Sequence, residues 1–345
     1  MADKPSLPPT AIPPGSWILV TGITGYIASH VALEFLNRGY RIRGTTRDTS
    51  KAQWLTTSLF KSESENGFFE VASVPDMSVP GSFDKAIKNI SAVVHAATNN
   101  SLDGNPNNVI TPTVEGTKNL LKAAAKESSV KRFVYTGTIG AADTLTSPNP
   151  VFINRDSWNE EAVKLAWQEP YGPEKAYAVY AASKTVTEQA LWEFVEKEKP
   201  GFVTNVVAPY MNMGKILDEH QDNGARTMLK GFVGGKPEIL GILPTMAYIS
   251  THDDAVIHVG AVLDPDVKNE RIFAWAQKFN WNQILAIMRK IYPDQDIVED
   301  LPDPKMFMGE ADLSLALNML RKWGPQDGWT SLEQGVKEIL EGVNF

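Results

Sequence analysis

Two hydrophobic periods alternate along most of the chain. Ser16-Trp17-Ile18-Leu19-Val20-Thr21 is a short apolar run, and the stretch after it to Arg38 returns apolar side chains every three or four positions. Tyr40 to Arg47, Phe68 to Val74, Ala92 to Ala97 and Arg132 to Thr138 are further short runs. Thr113 to Lys126 and Ala176 to Phe194 have helical spacing, the second rich in Ala, Leu, Glu and Gln. Short continuous apolar runs fit strands buried on both faces, and the patterns between them fit amphipathic helices. This alternation predicts an α/β fold, a doubly wound parallel sheet with its ligand crevice at the carboxyl ends of the strands. Gly22, Ala97, Thr138 and Pro209 would all lie along that edge.

The first run ends in the turn Gly22-Ile23-Thr24-Gly25-Tyr26-Ile27-Ala28. Gly22 permits a tight turn, Gly25 lets the backbone approach a pyrophosphate, and Ala28 lets the helix pack close to the strand. The helix start then offers unpaired N–H groups and a positive dipole end to phosphates. The spacing is G-x-x-G-x-x-A, a variant of the commoner G-x-G-x-x-G. At the end of the second run, an NAD site usually carries a carboxylate for the ribose. Arg47 stands there instead, with Lys51 one helical turn later. Two cations suit a 2′-phosphate and predict NADP. Asp48, beside Arg47, keeps open the alternative in which a carboxylate takes the ribose.

Tyr180 and Lys184 are four residues apart in the Ala176 to Phe194 pattern, so they share a helix face. A phenol ordinarily titrates near pH ~10, and a neighbouring cation lowers that value by stabilising the phenolate. A tyrosine tuned in this way can protonate a carbonyl oxygen while hydride reaches its carbon. Tyr171 and Lys175 have the same spacing, but Gly172 and Pro173 make that segment a turn or a helix start.

A chain of 345 residues suits one large domain, or a core domain with a smaller cap. The expected organisation is a flexible Pro-rich arm over 1–15 and a Rossmann-type NADP-binding domain over 16–210, with a return segment near 247–275. A smaller substrate-binding domain would comprise 211–246 and 276–345. The composition, 43% hydrophobic and 21% charged, is ordinary for a globular enzyme. A net charge of −8 without a basic stripe argues against nucleic acid as a partner. No apolar run approaches the length of a membrane span. With no cysteine there are no disulfides or thiolate metal sites, and a cytoplasmic location is the default expectation. The five histidines are scattered without ligand spacing, so no metal is expected, and His95 reads as a core histidine. The chain has neither a G-x-S-x-G elbow nor an H-E-x-x-H motif.

Several of these segments occur together, and in this order, in a known superfamily. They are Thr21 to Ala28, Arg47 with Lys51, Asp76-Met77, His95-Ala96-Ala97-Thr98, Tyr180 to Lys184, and Ala208-Pro209-Tyr210-Met211-Asn212-Met213-Gly214. The chain resembles the extended short-chain dehydrogenase/reductases over nearly its whole length. Within them it is similar to fungal NADPH-dependent aldehyde/ketone reductases, relatives of methylglyoxal reductase and dihydroflavonol reductase. The resemblance implies Tyr180 as the acid, Lys184 as its partner and a ligand of the nicotinamide ribose, and Thr138 as the hydroxyl that orients the carbonyl. It implies NADPH contacts from Gly22, Thr24, Gly25, Tyr26, Ile27, Arg47, Lys51, Asp76, Met77, Ala96, Ala97, Thr98 and Pro209, with Thr98 also near the substrate. The chain departs from its relatives at Thr136-Gly137-Thr138, where they usually read Thr-Ser-Ser.

Long connections after Thr138 would cover the nicotinamide, as in family members. Apolar, Met-rich walls there suit a hydrophobic aldehyde or ketone. Leu243 and Met246 are candidate pocket residues, with ordinary packing as the alternative. The implied function is NADPH-dependent reduction of aldehydes and ketones to alcohols, by a monomer or a homodimer. Two rivals remain. One is a sugar-nucleotide epimerase or dehydratase of the same superfamily, with Lys215, Arg226 and Lys230 available for a diphosphate. The other is a non-catalytic NADP sensor, a class that generally lacks the Tyr/Lys pair.

Overall fold

A computed structural model of the protein describes residues 8–145, 147, 149–221, 224–234 and 246–343. The first half runs β1 (Trp17–Thr21), α1 (Tyr26–Asn37), β2 (Arg41–Thr46), α2 (Lys61–Glu65), β3 (Phe69–Ser73), β4 (Ala92–His95), α3 (Pro106–Lys126) and β5 (Arg132–Thr136). It continues with β6 (Val151–Phe152), α4 (Glu160–Ala166), α5 (Ala176–Glu198), β7 (Val203–Pro209), β8 (Met211–Met213) and α6 (Gly224–Lys230). After β9 (Met246–Ser250) come α7 (Thr251–Leu263), β10 (Arg271–Ala274), β11 (Gln277–Phe279) and α8 (Trp281–Ile291). The chain closes with β12 (Gly309–Glu310), α9 (Ser314–Trp323) and α10 (Leu332–Ile339).

Seven strands form one sheet in the order β10-β7-β5-β4-β1-β2-β3, and every neighbouring pair is parallel. This is the doubly wound sheet expected from the alternation of periods. Successive side chains on a strand point to opposite faces. Ile18 and Val20 therefore join Val31, Phe35, Val256, Val259 and Leu320 on one face. Leu19, Val93 and Phe133 join Leu120, Leu121 and Leu191 on the other. Helices cover both faces, so no position on these strands needs to be polar.

A three-stranded sheet, β11-β9-β8, has its own apolar cluster built from Met211, Met213, Phe232, Tyr248, Trp281, Leu285 and Val336. Asp253 at the start of α7 ties the end of the chain to this region. Its carboxylate accepts from Gln326 Nε2 at 2.9 Å, Thr330 N at 2.8 Å and Thr330 Oγ1 at 2.8 Å.

Residues 8–15 are anchored, although a flexible arm was expected over 1–15. Ala11 N donates to Leu263 O at 2.8 Å, and Ile12 is buried in the cluster that contains Tyr40.

Candidate active site

β1, β4, β5 and β7 all end at one edge of the large sheet, and the candidate residues hang from those ends. Gly22 follows β1 with φ of 68°, a conformation that costs an L side chain about 1–2 kcal/mol. A Cβ there would lie 3.0 Å from Ala97 Cα, so the turn and the end of β4 touch through backbone. Gly25 N donates to Gly22 O at 2.8 Å. Gly25 is also the residue before α1 and offers no side-chain cap, so the first N–H groups of the helix have no intrahelical acceptor.

His95 secures this junction. Ala97 N donates to Thr21 Oγ1 at 3.0 Å, so the Thr21 hydroxyl can donate to His95 Nδ1, 2.8 Å away. The other ring nitrogen, Nε2, then carries the proton and donates to Thr117 Oγ1 at 2.9 Å. Burial, with Lys184 adding to it, pulls this imidazole down to about 3, so the ring is neutral. His95 is thus a core histidine with both nitrogens satisfied, and it holds the segment bearing Ala97 and Thr98 against the turn.

The ends of β1, β2, β3 and β4 border a cleft of about 450 Å³, whose lining does not include Thr138, Tyr180, Lys184 or Pro209. Gly22, Thr24, Gly25, Arg47, Asp76, Met77, Ala96, Ala97 and Thr98 all line it. Thr98 Oγ1 is buried and has no hydrogen-bond partner among the described residues. Arg47 is exposed and forms no ion pair among the described residues. The neighbouring Asp48 is committed elsewhere: its carboxylate accepts from Ser50 N at 2.9 Å and Ser50 Oγ at 2.7 Å, and it does not line the cleft. Asp76 is bound similarly, by Ser78 N at 2.8 Å and Ser78 Oγ at 2.6 Å. Those bonds hold its carboxyl below the usual range.

Other expected cofactor residues lie outside this wall. Lys51 is exposed on the short turn Thr49–Ala52. The Tyr26 side chain donates to Gly214 O at 2.6 Å, and Ile27 packs into the core. These two can offer the cleft only backbone N–H groups. Thr45, Thr46, Asn99, Asn100 and Thr113 also line the cleft. Thr45 and Thr46 could have been found from their place at the end of a strand. Nothing in the local sequence marks Thr113, which reaches the cleft from α3.

The catalytic candidates gather around α5. Tyr180 and Lys184 lie one turn apart on it. Lys184 is 3% exposed; its ammonium donates to Thr136 O at 2.6 Å and lies 4.5 Å from the centroid of the Tyr135 ring. Burial pulls the ammonium down to about 8, against the opposing pull of the Glu188 carboxylate. Tyr180 is half-buried, and its hydroxyl has no hydrogen bond among the described residues. Burial pushes this phenol up. The expected lowering of Tyr180 by Lys184 is therefore not seen in this arrangement, because the ammonium is turned to Thr136 and Tyr135. The phenol is protonated at neutral pH, the state a proton donor requires.

Thr138 follows β5, is 6% exposed, and accepts from Gly140 N at 3.3 Å. Gly137, where relatives carry serine, has a packing reason to lack a side chain. A Cβ there would meet Val206 Cγ1 at 2.9 Å and Glu188 Oε2 at 3.3 Å. Glu188 lies one turn beyond Lys184 and pairs with Arg271 on β10, Nε to Oε1 at 2.6 Å, both side chains fully buried. Nε–H itself is not aligned for a hydrogen bond. Nη1 donates to Ser157 O at 2.6 Å and to Arg155 O at 3.1 Å, and the guanidinium stacks 4.0 Å from the Trp158 ring. On the other side of Thr136, its hydroxyl is 2.9 Å from His258 Nε2, and His258 Nδ1 donates to Asp254 O at 2.8 Å.

Pro209 ends β7 and is buried. Met246 packs with the cluster around Phe232 and Trp281 and does not line the cleft. Leu243 lies outside the described residues. Among the described residues no group of three His, Asp or Glu side chains is placed to hold a metal, and no helix is long and apolar enough to cross a membrane.

The chain matches the NAD dependent epimerase/dehydratase family over residues 18–240. It is 38% identical over 333 residues to the NAD-dependent epimerase/dehydratase terH of Aspergillus terreus, covering 96% of this chain and 97% of that protein. It is 36% identical over 333 residues to aldehyde reductase 2 of Sporidiobolus salmonicolor, covering 95% of this chain and 96% of that one. Among solved structures, yeast methylglyoxal/isovaleraldehyde reductase Gre2 complexed with NADPH shares the fold, with a TM-score of 0.78 at 22% identity over 94% of this chain and 96% of that chain. The chain belongs to the NAD dependent epimerase/dehydratase family.

Proposed function

We propose that this member of the NAD dependent epimerase/dehydratase family is an oxidoreductase that reduces a small aldehyde or ketone to an alcohol with NADPH. The observation that carries the reading is the placement of Tyr180 and Lys184 on one face of α5, with Lys184 held at the end of β5, the neighbour in the sheet of β4, whose end lines the cleft. Relatives of this chain include an aldehyde reductase and ketoreductases of Aspergillus and Penicillium species, in keeping with that reaction.

The residues present fit the dinucleotide. The glycine turn brings backbone within reach of a pyrophosphate, and the orphaned Thr98 hydroxyl lacks a partner that a bound ribose or amide can supply. Arg47 lines the cleft and has no ion pair among the described residues, while Asp48 is occupied by Ser50, which favours a 2′-phosphate over a bare ribose. Gly22, Gly25, Ala97, Thr98 and Arg47 would hold the cofactor, with Pro209 along its nicotinamide. When bound, NADPH supplies the hydride. Tyr180 donates its phenolic proton to the substrate carbonyl oxygen, and Thr138 offers that oxygen a second hydrogen bond. Lys184, charged below about pH 8, would favour the phenolate left behind on turning from Thr136 O toward Tyr180. The apolar cluster around β8, β9 and β11 is the part of the chain proposed to cover the substrate, and its character suits a largely hydrophobic carbonyl compound.

A positioned general acid contributes about 10²–10⁴-fold. Tyr180→Phe should therefore lower kcat by that order in an NADPH-oxidation assay, while fluorescence titration still detects NADPH binding. Turnover near the wild-type rate would remove Tyr180 from the role of acid.

A further inference from the structure

We propose that Glu188 is a positioning residue for the reaction at Tyr180: its carboxylate, fixed by Arg271 on β10, keeps the Lys184 ammonium charged and in place at the end of β5. This rests on carbonyl reduction with Tyr180 and Lys184, and adds to it a residue that acts through Lys184.

Lys184 and Glu188 are four residues apart on α5, so they share a face with their Cβ atoms about 5–6 Å apart. Lys184 is 3% exposed and Glu188 is fully buried. Both side chains converge on the same strand end. The ammonium donates to Thr136 O at 2.6 Å, and a Cβ built on Gly137, the next residue, would lie 3.3 Å from Glu188 Oε2. Thr138 follows directly. One short stretch of backbone therefore carries the acceptor of the lysine, the neighbour of the carboxylate and the orienting hydroxyl.

The carboxylate is held in this place from two sides. Arg271 reaches both of its oxygens, Nε to Oε1 at 2.6 Å and Nη2 donating to Oε2 at 3.4 Å, and Trp192 Nε1 donates to Oε1 at 3.3 Å. Arg271 is itself anchored by Arg155 O, Ser157 O and the Trp158 ring. A buried ion pair is a poor source of stability, because desolvation of the two ions offsets their attraction. It does supply a fixed negative charge away from water, and Lys184 needs one. Burial pulls the ammonium down to about 8, and the Glu188 carboxylate opposes that pull. The other titratable groups that face Lys184 directly bring no charge. His95 on β4 is neutral, and Tyr135 on β5 and Tyr180 on α5 are phenols pushed up by burial. From α7, His258, with Asp254 beside it, meets the Thr136 hydroxyl rather than the ammonium.

The test reads the charge of Lys184 without turnover. NMR of the enzyme carrying isotope-labelled lysine, with Lys184→Arg to identify the resonance, gives the pH at which the ammonium loses its proton. The wild-type midpoint should lie near 8. Glu188→Gln should lower it by about one unit, because the carboxylate goes and the Arg271 cation stays. Arg271→Met should raise it, because Glu188 is left with Lys184 as its cation. Both variants break the same buried pair, so a merely structural role would weaken both and shift the two midpoints alike or not at all. Glu188→Leu/Arg271→Leu, an apolar replacement of a kind that often preserves stability, should also lower the midpoint, and it serves where Glu188→Gln does not fold. The alkaline limb of kcat/KM with isovaleraldehyde should follow the midpoints, leaving Glu188→Gln about fivefold less active than wild type at pH ~8, the loss of charged Lys184 that a shift of one unit produces. Midpoints that move together or stay fixed overturn the role of Glu188, and a limb that ignores them overturns its part in the reaction. Midpoints that separate in an enzyme that oxidises no NADPH would support the charge arrangement and count against carbonyl reduction instead.

Discussion

At the nucleotide end of the crevice the wall is backbone and short side chains: the Gly22 turn against Ala97, the Thr98 hydroxyl, and Arg47 reaching in from an exposed position. Around the catalytic candidates the side chains are buried among one another and do not line the cleft. Lys184 donates to Thr136 O, Glu188 pairs with Arg271 out of water, and Thr136 leans on His258. The first end leaves polar groups such as Thr98 Oγ1 without a partner among the described residues. The second holds a few atoms in place by satisfying almost everything around them. Changes at the two ends should therefore affect different properties, affinity at one and stability at the other.

The largest expected effect on stability is at the catalytic end. Glu188→Ala leaves Arg271 buried without its carboxylate, a loss of about 3–5 kcal/mol for a broken buried pair. Urea denaturation measures it. Arg47→Ala, at an exposed position, should stay within about 0.5 kcal/mol of wild type in the same experiment. Equal losses in the two variants would break the comparison.

A second, smaller effect concerns Lys184. In the folded chain it releases its proton near pH 8, against an ordinary 10.5. Between those values the unfolded chain holds more protons, so this group makes stability rise as pH increases. At roughly 1.36 kcal/mol per pKa unit, the gain amounts to a few kcal/mol across that window. The stability of wild type relative to Lys184→Met should climb from pH 8 to 10.5, and a flat difference would show that Lys184 is better hydrated than its burial implies.

The smallest effect belongs to the nucleotide end. Hydrogen bonds to charged groups contribute about 1.5–3 kcal/mol, so Arg47→Ala should lower the preference for NADPH over NADH by about tenfold to a hundredfold. The ratio of dissociation constants for the two cofactors reads this directly. An unchanged ratio would assign the 2′-phosphate to Lys51 or to another group.

The nucleotide end was the more legible of the two. The Gly22 turn, Arg47 and the His95 to Thr98 segment are short stretches whose spacing already encodes strand, turn and helix. Asp48 remained open as a rival for the ribose until its carboxylate was seen capping Ser50. At the other end, periodicity placed Tyr180 and Lys184 on one face but misjudged what the ammonium does there. The expected pairing of phenol and ammonium ignored the carbonyl of Thr136, which competes for the same donor. Gly137 looked like a departure from relatives, and only packing against Val206 and Glu188 supplied its reason. Met246, a candidate for the pocket or for ordinary packing, belongs to the apolar cluster of the three-stranded sheet.

By itself the sequence determined the doubly wound sheet, the glycine turn that opens onto the cleft, the cation at the end of β2, and the shared face of Tyr180 and Lys184. Each follows from residues within a few positions of one another, where helix and strand periods leave little freedom. The tertiary structure alone decided which partner Lys184 takes, that Glu188 meets Arg271 from 83 residues away, that Thr136 meets His258 from 122 away, and that Tyr177 meets Tyr210 from 33 away. Those contacts depend on which strands lie side by side and in what register, and no local pattern carries that information.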